Sequence, residues 1–239
     1  MKNFVKNKSR PLKVLLSHNY YLNSGGERQV FEAERKMLRD NGHVVETHID
    51  DNRRIAELGK TRTAVQAIWS SETYQSIRRK LREDSFDIVH VHNFFPLISP
   101  SIYYAAHAEQ IPVVQTLHNF RLLCLNGFLF RDGEVCEDCV GRKVPWPGIY
   151  HACYRGSHAG STTIATMLSF HRAIKTWDRM IDTYIVLTEF SLQKLIEGGL
   201  PENKIAIKPN FLPKDPGQGG GKGYFALFVG RLSPEKGIE

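Results

Sequence analysis

The chain has 239 residues, of which 41% are hydrophobic, and a formal net charge of +7. This composition is typical of a globular protein with one large domain or one and a half ordinary ones. No segment approaches the roughly 18 to 20 apolar residues of a membrane span, and the basic N-terminus lacks the apolar stretch of a signal peptide. We therefore expect a cytoplasmic protein.

Apolar runs alternate with segments of helical period along the chain, which is the pattern of βαβ units around a parallel sheet. The sequence therefore predicts an α/β fold. Helices are predicted over 27–41, 63–82 and 157–177. Strands are predicted over 13–17, 44–49, 87–91, 112–117, 182–187 and 204–207.

The segment Ser24-Gly25-Gly26-Glu27 lies between the first predicted strand and the first predicted helix. Glycines let a backbone approach a ligand, and the free amides of a helix start favour an anion. Because the spacing is not G-x-G-x-x-G, the segment alone leaves a tight turn and a ligand site equally open.

Positive charge is concentrated in residues 1–16 and 53–82, and the second segment includes the amphipathic helix predicted over 63–82. Basic faces attract phosphates, so an anionic membrane, an acidic substrate and an ordinary solvated surface all remain open. Aromatic residues are not interleaved with these clusters as stacking platforms would be. Nucleic acid is therefore not an expected partner.

Histidines follow three of the predicted strands, namely His18, His92 and His118. The carboxyl ends of parallel strands meet at one edge of a sheet, so the loops that carry these residues converge on one crevice. Three histidines at one edge predict a ligand site. His90 lies within its strand, and we expect it to be packed in the interior.

Four cysteines with the spacing C-x11-C-x2-C-x13-C fall in an irregular insertion over 124–156. An insertion of this length needs its own source of order, and four thiols can bind tetrahedral zinc. Structural zinc, unliganded buried thiols and a disulfide all remain open, with His151 as a substitute ligand. The candidate ligands are Cys124, Cys136, Cys139 and Cys153.

The glycine-rich segment 216–223 is typical of a flexible linker, and it divides residues 1–215 from residues 224–239. An apolar strand predicted over 224–229 runs into a turn that carries Arg231 and Lys236. Two cations at the carboxyl end of a strand suit a diphosphate. We expect 224–239 to begin a second domain whose remainder is not in this chain.

Motifs of several other enzyme classes are missing from the sequence. The segment around Lys222 is not a P-loop, because Pro216 stands where the first glycine is required and Gly223 follows the lysine. Neither a G-x-S-x-G nucleophile elbow nor an H-E-x-x-H zinc motif occurs.

Six segments in a fixed order carry a resemblance to a known family: 25–27, 87–92, 114–119, 186–191, 209–211 and 228–237. Together they resemble family 4 of the glycosyltransferases, the retaining sugar-nucleotide enzymes of GT-B architecture. The resemblance implies two Rossmann-like domains facing a cleft, each a parallel sheet with helices on both faces. This chain would hold the acceptor-side N-terminal domain and only the start of the donor-binding domain.

The resemblance also implies roles for individual residues. His118 would be catalytic beside the transferred sugar, Gly25, Gly26, Arg231 and Lys236 would bind the donor diphosphate, and His18, His92, Asn93 and Asn119 are acceptor-side candidates. Charge-assisted bonds can stabilise a leaving diphosphate without a metal, so no cofactor is expected for catalysis.

The expected substrates are a nucleotide-sugar donor and a glycan or lipid-linked acceptor, in polysaccharide or glycolipid biosynthesis. In related enzymes a basic amphipathic helix docks on anionic lipid, and the helix predicted over 63–82 with Trp69 is the candidate here, on the inner face of the membrane. Because the family's carboxylate motif lies beyond Glu239, we expect this chain alone to be inactive. Two alternatives remain: a sugar-nucleotide epimerase of the same fold, and a non-catalytic zinc-stapled binding module.

Overall fold

The computed structural model describes residues 10–23 and 25–215, and beyond these 217, 220–221, 223–224, 226–230, 232–233 and 236–237. The strands are β1 (Lys13–Tyr20), β2 (Val44–Asp51), β3 (Ile88–Asn93), β4 (Val113–Thr116), β5 (Phe130–Arg131), β6 (Glu134–Val135), β7 (Thr183–Val186) and β8 (Ile205–Ile207). The helices are α1 (Gly26–Asp40), α2 (Ile55–Ile68), α3 (Ser71–Glu83), α4 (Ser101–Ala108), α5 (Trp146–Tyr150), α6 (His158–Ala173), α7 (Thr176–Arg179) and α8 (Glu189–Glu197).

Six strands form one parallel sheet in the order β2-β1-β3-β4-β7-β8, and β5 pairs with β6 in a separate antiparallel hairpin. The chain leaves β1 toward β2 on one side and returns to β3 on the other side. This reversal is a topological switch point, the place where open α/β sheets form a crevice at the carboxyl ends of their strands. The predicted α/β class is confirmed, and the sheet is Rossmann-like.

The core has two parts because successive side chains of a strand point to opposite faces of the sheet. Leu15, Val89 and Val91 belong to the larger buried cluster, which also contains apolar side chains of α3, α4 and α6. Val14 and Leu16 belong to a smaller cluster with Phe31 of α1. Helices therefore cover both faces of the sheet, as predicted.

The single helix predicted over 63–82 is wrong, because the structure divides this segment into α2 and α3. Trp69 has extended backbone angles, and the Ser70 side chain accepts a hydrogen bond from Thr73 N, which caps the start of α3. A serine at this position satisfies an otherwise unpaired amide of the first turn. The side chain of Trp69 packs against the rings of Tyr74 and Tyr104.

The helix predicted over 157–177 is also shorter than expected. α6 ends at Ala173, Lys175 has a left-handed backbone (φ 59°), and α7 follows as a separate turn. The helices α4 and α8 were not predicted. None of the helices in the described part of the chain is long and apolar enough to cross a membrane.

The strand predicted over 224–229 is wrong for the residues that the structure describes there. Those residues pair with no other strand and are largely exposed; Tyr224, for example, is 97% exposed. A strand needs a neighbour to satisfy its backbone groups. The division of the chain at 216–223 stays a prediction.

Candidate functional site

The switch point brings together the carboxyl ends of β1 and β3. β1 pairs with β3 up to Ser17 and Val91, and the register then shifts so that His18 lies opposite Asn93. Beyond this edge lies a shallow pocket that is open to solvent. Its polar lining comes from Tyr21, His92, Asn93, Gln115, Thr116, His118, Asn119 and Arg121.

The glycine pair lies at the same edge as His118. Asn119 Nδ2 donates a 2.9 Å hydrogen bond to Glu27 Oε1, and Gly25 and Gly26 come immediately before Glu27 at the start of α1. Neither glycine has a positive φ, and a Cβ placed on either would meet no atom within 4 Å. The glycines thus leave open space beside the free amides of the α1 N-terminus, where an anion is favoured.

Four imidazoles, which we call the histidine cluster (His18, His90, His92 and His118), lie between the sheet and α1. His92 Nδ1 and His118 Nε2 are 3.0 Å apart, and the rings of His90 and His92 are 4.5 Å apart between centroids. His18 is buried against His92, Tyr20 and Phe31. His118 therefore reaches the pocket, whereas His18 lies behind it and is not among the lining residues.

Burial keeps these imidazoles uncharged. Desolvation lowers the pKa of His18 to about 4, that of His90 to about 3 and that of His118 to about 3. It also lowers the pKa of His92 well below the ordinary value, with the neighbouring histidines acting in the same direction. At neutral pH the cluster can form hydrogen bonds but carries no positive charge.

Asn93 is committed to the fold rather than free for a ligand. Its Nδ2 donates to Asn19 O at 2.8 Å, and its Oδ1 accepts from Phe95 N at 3.0 Å. Asn119 also lines the pocket and is more exposed than Asn93, although its Nδ2 donates to Glu27 Oε1 and its Oδ1 accepts from Arg121 N.

Of the two predicted donor-binding cations, the structure describes only Lys236. Arg231 lies outside the described residues. Lys236 is exposed, its backbone N–H bonds to Ser233 O, and it does not line the pocket. Their predicted roles stay predictions.

The cysteines of the insertion, which we call the cysteine cluster (Cys124, Cys136, Cys139 and Cys153), are free thiols that lie near one another. Burial raises the pKa of Cys139 to about 11, and the other three cysteines raise it further. Burial also raises the pKa of Cys153, as do Cys124 and Cys136. No three of the four sulfur atoms lie all within 4.8 Å of one another, so a zinc ion would have to draw them together.

Within the described residues, one set of potential ligand atoms does lie within 4.8 Å: those of Glu34, His90 and His92. Lys208 Nζ is 3.0 Å from Glu34 Oε2, so a cation already faces this carboxylate. A metal ion would be repelled by that ammonium group.

Part of the positive charge of the basic segment 53–82 is paired with carboxylates. Arg54 pairs with Asp50 at 2.6 Å, and Arg78 and Arg82 both contact Glu109, at 2.6 and 2.8 Å. Such pairing reduces the positive field that this surface offers to an anionic membrane. The packing of Trp69 against Tyr74 and Tyr104 likewise makes it a poor interfacial anchor.

Comparison with known families decides the identity of the chain. The model of Glycosyltransferase Family 4 matches residues 23–215, which is most of the sequence. The chain belongs to glycosyltransferase family 4.

Solved structures of HepE from Anabaena are among those similar to this family 4 chain. The complex of HepE with UDP-glucose has 12% sequence identity and a TM-score of 0.43, and the match covers 84% of this chain and 44% of that one. The complex with UDP and glucose has 13% identity and a TM-score of 0.41, covering 84% and 45%. The chain thus spans less than half the length of these proteins. Comparison with curated proteins gives no significant match.

Several residues of the pocket and around the histidine cluster were not predicted. Tyr21 and Arg121 line the pocket, Glu27 bonds to Asn119, and Glu34 with Lys208 lies behind the histidine cluster. Glu34 could have been found, because Phe31, Glu34 and Leu38 follow helical spacing and place a carboxylate in the apolar stripe of α1.

Proposed function

We propose that this family 4 chain is the acceptor-side part of a retaining glycosyltransferase of GT-B architecture. It would transfer a sugar from a nucleotide diphosphate to a glycan or a lipid-linked acceptor. The proposal rests on one observation in a chain of this family: the Gly25-Gly26 segment and His118 lie together at the edge of the pocket, at the switch point of the sheet. Ligands of open α/β sheets bind at this place.

The chemistry of this edge suits a sugar diphosphate. The N-terminus of α1, a helix of 15 residues, offers free amides to a phosphate. His118 is neutral and half-buried, so it can hydrogen-bond a sugar but cannot neutralise a leaving diphosphate. The charge of that group would be met by α1 and by the predicted donor-binding Arg231 and Lys236.

A retaining transfer of this class requires no protein nucleophile. The leaving phosphate would take the proton of the acceptor hydroxyl on the same face of the sugar. His92, Asn93 and Asn119 flank His118, and of these Asn119 is best placed to contact an acceptor or the donor sugar. Polysaccharide or glycolipid biosynthesis, with peripheral attachment to the inner face of a membrane, stays a prediction.

The experiment is to incubate the complete protein with a panel of sugar nucleotides, with and without glycan and lipid-linked acceptors. We expect acceptor-dependent release of nucleoside diphosphate and a loss of about a hundredfold in kcat/KM for the double variant His118→Ala, Arg231→Ala, which is the size of effect seen when transition-state hydrogen bonds are removed. Unchanged activity in that variant contradicts the site assignment. An epimerised sugar nucleotide formed without acceptor supports the epimerase instead.

We also propose that the cysteine cluster binds one structural zinc ion. Gly148 lies between three of the four cysteines. Cys153 N donates to the Gly148 carbonyl at 2.9 Å, and a backbone hydrogen bond from Gly148 reaches the thiol of Cys139. Leu125, the residue after Cys124, packs against Gly148. Zinc would deprotonate all four thiols, and its binding would release protons.

Metal analysis of protein purified without a metal-affinity tag tests this proposal. We expect about one zinc per chain, retained through dialysis and lost in Cys136→Ser and Cys139→Ser. Protein that contains no zinc contradicts it, and thiols that then react with an alkylating reagent only after unfolding favour the alternative of unliganded buried thiols.

A further inference from the structure

A chain of polar groups runs from helix α1 to the pocket. Lys208 Nζ lies 3.0 Å from Glu34 Oε2, and the same oxygen lies 3.5 Å from His92 Nε2. On its other side, His92 Nδ1 lies 3.0 Å from His118 Nε2. Glu34 and His92 are buried, whereas His118 reaches the pocket.

The charges along this chain decide where its protons lie. A neutral imidazole has one nitrogen that donates and one that accepts. An ionised carboxylate only accepts, and Glu34 forms an ion pair with the Lys208 ammonium group, 3.0 Å from its Oε2. The proton of His92 is therefore on Nε2, which faces Glu34, because a lone pair there would be repelled by the carboxylate.

The remaining protons follow from this first one. His92 Nδ1 must then be an acceptor, so His118 Nε2 carries the proton of the 3.0 Å hydrogen bond. His118 Nδ1 is left with a lone pair, and it makes no hydrogen bond with any described residue. A ligand that contacts His118 Nδ1 must supply a donor such as a hydroxyl group.

A second branch of the network agrees with this assignment. His90 Nδ1 lies 3.7 Å from Glu34 Oε1, and His90 Nε2 lies 2.8 Å from Thr116 Oγ1. With its proton on Nδ1, facing the carboxylate, His90 accepts from the Thr116 hydroxyl. In His90, as in His92, the nitrogen that faces the carboxylate then carries the proton and the other nitrogen accepts. The distances from His90 and His92 to Glu34, 3.7 and 3.5 Å, are those of an electrostatic contact rather than a hydrogen bond.

We propose that Glu34 is a positioning residue that acts through His92 to hold His118 in the Nε2–H tautomer, with a lone pair at Nδ1 facing the ligand. The assignment of the tautomer is independent of the reaction. Its consequence rests on the proposed function: His118 Nδ1 then accepts a hydrogen bond from a hydroxyl group of the bound sugar.

The test is long-range ¹H–¹⁵N correlation NMR of the protein labelled at histidine nitrogens, at pH 7.5 and without ligand. His118→Asn identifies the His118 signals by their loss. In the wild-type chain we expect the Nε2–H form of His118 to exceed the Nδ1–H form by about tenfold or more. A majority of the Nδ1–H form overturns the proposal, and this measurement needs no variant at position 34.

Variants at Glu34 then test the cause. Glu34→Gln and Glu34→Leu should raise the Nδ1–H fraction of His118 severalfold, and Glu34→Asp, which keeps a carboxylate, should restore much of the wild-type ratio. Glu32→Gln is the matched control, since Glu32 lies on the same helix but accepts from Tyr20 OH. An unchanged His118 tautomer in both Glu34→Gln and Glu34→Leu overturns the role of Glu34.

The same variants separate this proposal from the proposed function. If the chain takes part in sugar transfer, kcat/KM of the complete protein should fall in Glu34→Gln and recover in Glu34→Asp, in step with the tautomer. A tautomer ratio that responds to Glu34 in a protein without transferase activity supports the positioning role and contradicts the function. Activity lost equally in Glu34→Gln and Glu34→Asp, with the tautomer unchanged, contradicts the positioning role alone.

Discussion

The histidine cluster and the cysteine cluster are both groups of titratable side chains, and burial moves the pKa of members of the two clusters in opposite directions. Desolvation lowers the pKa of His90 to about 3 and raises the pKa of Cys139 to about 11. Each of these shifts favours the uncharged form of its side chain. The two regions differ in what holds them in place.

The histidines are held by the sheet, whereas the cysteines are held by turns. His90 and His92 are two residues apart in β3, so their side chains point to the same face of the sheet, the face that α1 covers. The insertion has only the two-residue strands β5 and β6 and the five-residue helix α5. We infer that the first site is preformed by secondary structure, and that the second depends on a few side-chain contacts and on zinc.

The largest expected effect is acid destabilisation through the histidine cluster. The unfolded chain binds protons near pH 6.5, but the folded chain does not, since burial lowers the folded pKa values of His18, His90 and His118 to between about 3 and 4. The free energy of unfolding therefore falls as pH falls from about 6.5 toward 4. At pH 5.5 each of these three histidines should cost on the order of 1 kcal/mol, and the three together about 4 kcal/mol.

Urea unfolding at pH 7.5, 6.5 and 5.5 measures this dependence. His90→Gln should reduce the slope of the free energy of unfolding against pH by the amount that corresponds to about one bound proton, because it removes one histidine that titrates only after unfolding. Glu27 works in the opposite direction, since burial raises its pKa. A free energy of unfolding that stays constant between pH 7.5 and 5.5 would show that these imidazoles are protonated in the folded chain.

The sequence predicts the sheet well because local patterns determine it, but it predicts the site only in part. The prediction that all three histidines follow their strands was wrong for two of them, because β1 extends to Tyr20 and β3 to Asn93, so His18 and His92 lie within strands and only His118 follows one. The face of the sheet to which a strand residue points also depends on the exact strand register, which local patterns do not determine. His18 therefore fell behind the pocket. Lys208 and Arg121 could not have been predicted, because they reach Glu34 and the pocket through contacts between segments distant in sequence.

The next largest effect concerns the attachment of the insertion to the body of the domain. Arg172 of α6 donates to Arg142 O at 2.7 Å and also to Leu122 O. Arg172→Met should free the insertion at a cost of about 3 kcal/mol, the range of two charged hydrogen bonds. Limited proteolysis should then cut within 124–156 while the sheet stays intact.

Arg179→Met is the matched control for this change, because Arg179 is exposed on the neighbouring helix α7. Cleavage that spreads through the strands of the sheet as fast as through the insertion would contradict the separation of the two regions. Equal cleavage of the two variants would show that Arg172 does not hold the insertion.

The smallest effect comes from adding one methyl group inside the insertion. A Cβ at Gly148 would lie 2.7 Å from Leu125 Cγ and Cδ1 and 3.3 Å from Leu125 Cβ, so movement of the far end of the side chain cannot relieve the overlap. Gly148→Ala should lower the free energy of unfolding by about 1 kcal/mol, the low end of the cost of overpacking. Gly220→Ala, which meets no atom within 4 Å, should leave it unchanged.

A double-mutant cycle sharpens this last prediction. In a Leu125→Ala background the added methyl group finds space, so Gly148→Ala should cost less there than in the wild-type chain. Since Leu125 and Gly148 lie beside Cys124 and Cys153, the same strain should weaken zinc retention. Additive costs of the two substitutions would mean that this contact does not order the cysteine cluster, and that the insertion is held from outside, through Arg172.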